Sequence, residues 1–157
     1  MAVSGGPILL CYDGSDDAKL ALARAGELFP GRTALVVHVW EPLSEVASVP
    51  PLPGLEGMLK SGLDEMDKLG EETSAKLADE GCDLARAAGL DAKPLSIQRA
   101  GRAWRAILAV AGEHDAGVIV LGRRGVSAAE LRILGSVANA VVHHADRPVL
   151  VVPEPRD

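Results

Sequence analysis

Aromatic residues are scarce in this chain of 157 residues, at 3% of the sequence. A core must therefore be assembled from Val, Leu, Ile and Ala, a composition that suits sheets covered by Ala-rich helices. Cysteine is limited to Cys11 and Cys82, too far apart and too few for a disulfide framework or a metal-binding pattern. Cys11 lies in an apolar run and reads as a small buried hydrophobe. No apolar run approaches the ~20 residues that span a bilayer. Residues 1–7 show no basic region followed by an apolar stretch, so no secretory signal is expected. A soluble protein in the reducing cytoplasm is the expectation. Positive charge is also in deficit, with 16 Lys and Arg against 22 Asp and Glu and a net charge of -6. Without a basic run there is no phosphate-tracking stripe, which argues against a general nucleic-acid binder. Any anion must be held by local geometry. The chain has no Gly-x4-Gly-Lys-Ser/Thr and hence no P-loop lysine. Ser4-Gly5-Gly6 precedes the first apolar run instead of following it, so it is not read as a phosphate loop.

Hydrophobic residues (48%) and charged residues (24%) are in the usual globular proportion. The length suits one domain, able to bury roughly 68–70% of the surface its unfolded chain exposes. Five short apolar runs stand out: Ile8–Tyr12, Ala34–Trp40, Lys93–Gln98, Gly117–Leu121 and Val149–Val152. Several are nearly continuous in Val, Ile and Leu, as strands buried on both faces of a parallel sheet are. Lys93–Gln98 is more polar and suits an edge. Helical spacing lies between the runs. Ala18, Ala21, Leu22, Ala25, Leu28 and Phe29 share one face of a helix that Ser15 is placed to cap, with Asp16 and Asp17 at its positive end. A second helix carries Leu63, Met66, Thr73, Leu77, Leu84 and Ala88 before Gly89. A third, over 102–114, buries Ala106, Ile107, Val110 and Ala111; a fourth, over 136–144, carries Val137, Ala140, Val141 and His144. Pro148 then returns the chain to an extended course.

This alternation predicts an α/β fold: one doubly wound, five-stranded parallel sheet of flavodoxin/Rossmann-like order 3-2-1-4-5, helices on both faces and right-handed crossovers. Such a sheet has a topological switch point between strands one and four, and ligands bind at their carboxyl ends. The segment 41–61, with Pro42, Pro50, Pro51, Pro53, Gly54 and Gly57, cannot be regular throughout. It is either a linker or a flap over a site at the sheet edge.

The most informative stretch follows the fourth run. Gly122-Arg123-Arg124-Gly125 is separated by nine residues from Gly135-Ser136, where a helix opens. Glycines there serve tight turns, or they remove side chains where backbone N–H groups approach a phosphate. The position after a central strand and before a helix N-terminus favours the anion. Ser136 adds a hydroxyl, for phosphate or as a cap, and Arg123 and Arg124 add local positive charge. Asp13, Asp16 and Asp17 crowd the end of the first strand, so a polyphosphate belongs on the other side of the switch point. The four histidines lack metal spacing: His143 and His144 are adjacent and cannot share a helix face, and His38 and His114 lie on separate elements.

Gly122-x2-Gly125-x9-Gly135-Ser136 resembles the nucleotide loop of the universal stress protein family. The likeness extends to Ile8-Leu-Leu-Cys-Tyr-Asp13-Gly14-Ser15 and to Arg147-Pro-Val-Leu-Val-Val-Pro153, and so covers nearly the whole chain. The resemblance implies bound ATP, with Gly122, Arg123, Gly125, Gly135, Ser136 and Val137 holding the phosphates. It further implies Asp13 on the ribose and the Val39 backbone on adenine. A carboxylate at Asp13 suits ribose hydroxyls; the alternative is a turn residue paired with Gly14. Trp104 stands where relatives usually have a small residue, and packs, stacks near the base or crowds the pocket, packing being the preferred reading.

Three functions follow in order of preference. The first is a regulatory ATP-binding protein of the stress response, with Mg2+ neutralising the phosphates and Asp13 as a neighbour. The second is a slow ATPase or phosphotransferase in which Arg123 or Arg124 supplies charge at the γ-phosphate, with no catalytic residue nameable. The third is an interaction module without nucleotide binding. Under each, the short apolar strand Val149, Leu150, Val151, Val152 lies at a sheet edge and is expected to pair with a second copy, as the family commonly does.

Overall fold

The computed structural model describes residues 5–46, 50, 52–99, 101–125 and 134–155. Of the proline-rich segment, residues 47–49 and 51 lie outside this set, as do Ser4 and residues 126–133 of the spacer between Gly125 and Gly135. Strands and helices alternate: β1 (Ile8–Cys11), α1 (Asp16–Leu28), β2 (Thr33–Trp40), α2 (Leu43–Val46), α3 (Glu56–Ala87), β3 (Asp91–Gln98), α4 (Ala103–Glu113), β4 (Val118–Gly122), α5 (Ser136–His144) and β5 (Val149–Val152). The sheet has the order β3-β2-β1-β4-β5, and every pairing is parallel. The expected α/β architecture, strand order and polar edge strand are all present. Pro94 is tolerated inside β3 because an edge strand has a neighbour on one side only.

Side-chain alternation along the strands builds two cores. Ile8, Leu10, Val36, Val118 and Val120 face α1 and α3, packing on Ala18, Ala21, Leu22, Ala25, Cys82 and Ala85. Leu9, Val37, Ile119 and Leu121 face α4 and α5, packing on Ile107, Val110, Ala111, Ala138 and Val141. With both faces covered, β4 is buried at every position, which explains its unbroken apolar run.

The helix faces depart from expectation in places. Leu28 ends α1 beyond the sheet and is 58% exposed. α3 starts at Glu56, well before Leu63, so the proline-rich segment flows into a helix. Its buried residues are Ser74, Ala78, Gly81, Cys82 and Ala85, whereas Met66, Thr73 and Leu84 are exposed. Small residues are buried because the helix lies close to the sheet: a Cβ on Gly81 would stand 2.7 Å from the Tyr12 ring and 2.8 Å from Val36 Cγ1. Upstream, Asp67 accepts hydrogen bonds from the Leu43 and Ser44 backbone and the Ser44 hydroxyl, fastening α2 to α3.

Candidate functional site

β1 sends its chain to α1 on one face, and β4 leads to α5 on the other. Between their carboxyl ends opens a cleft of about 510 Å³. That size falls in the ~300–1,000 Å³ range of small-molecule sites. Asp13, Val39, Gly122, Arg123, Gly125, Gly135, Ser136 and Val137, singled out from the sequence, all line it. They come from the ends of β1, β2 and β4 and the start of α5, and the fold gathers them.

The three glycines do different work. A Cβ on Gly122 would stand 2.7 Å from the Asp17 carbonyl carbon and 2.8 Å from its oxygen. Gly122 therefore lets α1 close on β4, a packing role beside its place in the cleft lining. A Cβ on Gly125 would meet Asp13 Oδ2 at 2.6 Å, so that glycine keeps the loop beside the carboxylate. Gly135 folds the far end of the loop back: its N–H donates to the Arg123 carbonyl at 2.8 Å. The Arg123 N–H donates to Val152 O at 3.1 Å and the Arg124 N–H to Asp17 Oδ2 at 2.9 Å. Three backbone donors of the loop are thus engaged within the protein, one inside the loop and two anchoring it to β5 and α1. At the opening turn of α5, Gly135 is the cap and Ser136 the first helical residue, so the Ser136 hydroxyl is not in the capping position.

The two arginines also part ways. Arg124 Nε lies 3.5 Å from Asp17 Oδ2 and its Nη2 2.5 Å from Glu154 Oε2. Its positive charge, expected beside the loop, is balanced within the protein by these two carboxylates. Asp17, only 5% exposed, is spent on the same contact rather than on the helix dipole alone. Arg123 differs: its buried Nε has no hydrogen-bond partner among the described residues. A buried, unpaired guanidinium nitrogen on a cleft wall suits an anionic ligand.

Asp13 Oδ1 accepts the Ser15 N–H at 3.0 Å, and Ser15 Oγ in turn accepts the Ala18 N–H at 3.2 Å, capping α1 as expected. Asp13 is thereby both turn residue and cleft wall. Cys11, expected as a small buried hydrophobe, packs partly buried against the core and also lines the cleft. Desolvation, helped by the Asp13 charge, pushes its thiol up to about 12.

Sequence reasoning missed the part played by His38. It lines the cleft, and its Nδ1 lies 2.8 Å from Ser74 Oγ, which lies 2.7 Å from Ser96 Oγ. This chain ties β2 to α3 and β3, and burial lowers the His38 pKa below 6.5. The signal in the sequence was a polar residue inside a strand run together with Ser74 in the small-residue stripe of α3. Trp104 is absent from the cleft lining. Its ring stacks on His144, with centroids 4.4 Å apart and planes 12° from parallel, so the packing alternative holds. Among the described residues, no group of three or more His, Cys, Asp or Glu is arranged to hold a metal, and no helix is long and apolar enough to cross a membrane.

The sequence profile of the universal stress protein family matches residues 6–153. A universal stress protein encoded in the QAH/OAS sulfhydrylase 3' region of Thermus aquaticus is 38% identical over 147 residues, spanning 92% of this chain and 96% of that protein. Among solved structures, the universal stress protein from Archaeoglobus fulgidus in complex with dAMP superposes with a TM-score of 0.63 at 26% identity, covering 94% of this chain and 97% of that one. A universal stress protein in complex with cAMP gives 0.60 at 25% identity, covering 94% and 96%. The profile match over nearly the whole chain, the Thermus relative and the shared strand order lead to one conclusion: this chain belongs to the universal stress protein family.

Proposed function

We propose that the cleft between β1 and β4 binds an adenine nucleotide, ATP with Mg2+, and that the protein is a regulatory, cytoplasmic component of a stress response. The observation that carries this reading is the convergence of Asp13, Val39 and the glycine loop on one cleft of nucleotide size. The complexes of two relatives with dAMP and cAMP support a nucleotide as the ligand class.

The residues present fit such a group. In this reading the Val39 backbone faces an adenine edge and the Asp13 carboxylate, at the cleft wall, faces the ribose hydroxyls. With the N–H groups of Arg123, Arg124 and Gly135 already engaged, the phosphates fall to Gly125, to the exposed first turn of α5 at Ser136 and Val137, and to the Arg123 guanidinium. Mg2+ needs only one carboxylate beside the phosphates, and Asp13, next to Gly125, is that carboxylate. Arg124, balanced by Asp17 and Glu154, is not available to a γ-phosphate, and turnover is no part of the reading.

Calorimetric titration of the nucleotide-stripped protein with Mg-ATP tests it, beside a folded Gly125→Val, Gly135→Val variant. Saturable binding lost in the variant is expected. Absence of binding to the parent, confirmed by equilibrium dialysis, would overturn it. The same reading pairs two copies along β5, an edge strand whose Val149, Leu150 and Val151 are incompletely buried. Val151→Lys is expected to sediment as a monomer, and a variant that stays dimeric sinks that part.

A further inference from the structure

α3 is far longer than the sheet it packs on. Its 32 residues extend about 48 Å, against about 26 Å for the eight-residue β2. All of its buried residues lie at Ser74 or later, so the first half of the helix is an arm without a buried residue of its own. The arm is nevertheless apolar along one line. Leu55, Leu59, Gly62, Met66, Leu69 and Thr73 follow one another at spacings of four, three, four, three and four, the spacing of a coiled-coil seam. Leu55, Met66 and Leu69 are 47%, 57% and 64% exposed, Leu59 is half-buried, and Met58 beside them is 77% exposed. At 100° per residue this line is turned well away from Ser74, Ala78 and Ala85, which face the sheet. A solvated helix has no need of such a seam, and apolar surface gathered on one stripe marks an interaction site.

The charges around the seam select its occupant. Residues 56–73 carry Glu56, Asp64, Glu65, Asp67, Glu71 and Glu72 against Lys60 and Lys68, a net charge of -4. Both lysines sit on the back of the helix, at i,i+4 spacing from Asp64 and Glu72. Glu65 and Glu72 border the seam directly. A second copy would bring acidic flanks together, and an anionic membrane would be repelled in the same way.

We infer that the exposed seam of α3 docks an amphipathic helix of another protein, with apolar residues at heptad spacing and Lys or Arg at its flanks. Leu and Met side chains supply the adaptable contact and the glutamates supply orientation. The geometry is independent of the nucleotide cleft.

The test uses the full chain and two labelled synthetic helical peptides with Leu at the a and d positions. One has Lys at e and g; the other has Glu there. Fluorescence anisotropy is expected to show saturable, salt-weakened binding of the Lys peptide and none of the Glu peptide. Met66→Glu with Leu69→Glu, both at exposed sites and verified by circular dichroism, is expected to weaken binding at least about tenfold. Glu65→Lys with Glu72→Lys keeps the seam and is expected to turn the preference towards the Glu peptide. Equal binding of the Lys peptide to the parent and the seam variant would overturn the proposal. So would a parent oligomer that the seam substitutions dissolve, since a second copy would then be the occupant.

Discussion

A single oxygen of Asp17 holds Arg124 twice: Oδ2 accepts the Arg124 backbone N–H at 2.9 Å and lies 3.5 Å from its Nε. Residues 107 positions apart are thereby joined where α1 meets the loop after β4. With the Asp17 side chain 6% exposed, removal of one partner leaves a nearly buried charge and an unsatisfied N–H. Asp17→Ala is expected to lower stability by about 3 kcal/mol, read from urea denaturation. Arg124→Ala should cost less, because its backbone N–H keeps its acceptor. The double variant should lose less than the two single losses together, as contacting residues couple.

Gly122 and Gly125 should separate under the same substitution. Gly122→Ala drives a Cβ against the Asp17 backbone, which cannot swing aside, and should cost roughly 1–3 kcal/mol of stability. Gly125→Ala meets only the end of the Asp13 side chain. It should leave stability within about 0.5 kcal/mol while weakening nucleotide binding about tenfold by displacing that carboxylate. Thermal melts and calorimetry on the two variants check both halves.

His38 should contribute to acid sensitivity. Burial lowers its folded-state pKa below 6.5, with the facing Asp13 carboxylate opposing the shift. Below pH 6.5 the unfolded chain therefore takes up a proton that folded His38 does not, and stability falls with pH until the folded-state value is passed. His38→Gln is expected to flatten the stability profile in that window. An unchanged slope would assign the acid sensitivity to other groups.

Trp104 should matter to stability and not to affinity. Its ring lies on His144 with the Arg105 guanidinium 5.2 Å from its centroid, and the cleft begins at its neighbour Ala103. Trp104→Ala is expected to cost about 2 kcal/mol, less than the ~3–5 kcal/mol of a fully buried ring. Mg-ATP affinity should stay within about twofold, measured by the same titration.

The sequence by itself determined the layers of this protein. Continuous Val, Ile and Leu runs such as 118–121 fit only strands covered on both faces, and the alternation of runs with helical spacing dictates parallel pairing. The glycine spacing from Gly122 to Ser136 and the acidic turn at Asp13 marked the site, because both are local patterns of backbone and charge. What the glycines and arginines do there was decided by tertiary structure. Gly122 is small because α1 passes over it, and Arg124 is neutralised because Asp17 and Glu154 arrive from distant parts of the chain. The buried face of α3 belongs to the same class. Its larger apolar residues suggested one face, but close approach to the sheet fully buries only Ser74, Ala78, Gly81, Cys82 and Ala85, with Leu77 partly buried beside them, while Met66 and Leu69 lie on the arm that outruns the sheet and stay in solvent. Periodicity reports which elements form. Which side of a helix is covered, and which charge is already balanced, depends on neighbours that only the folded chain brings together.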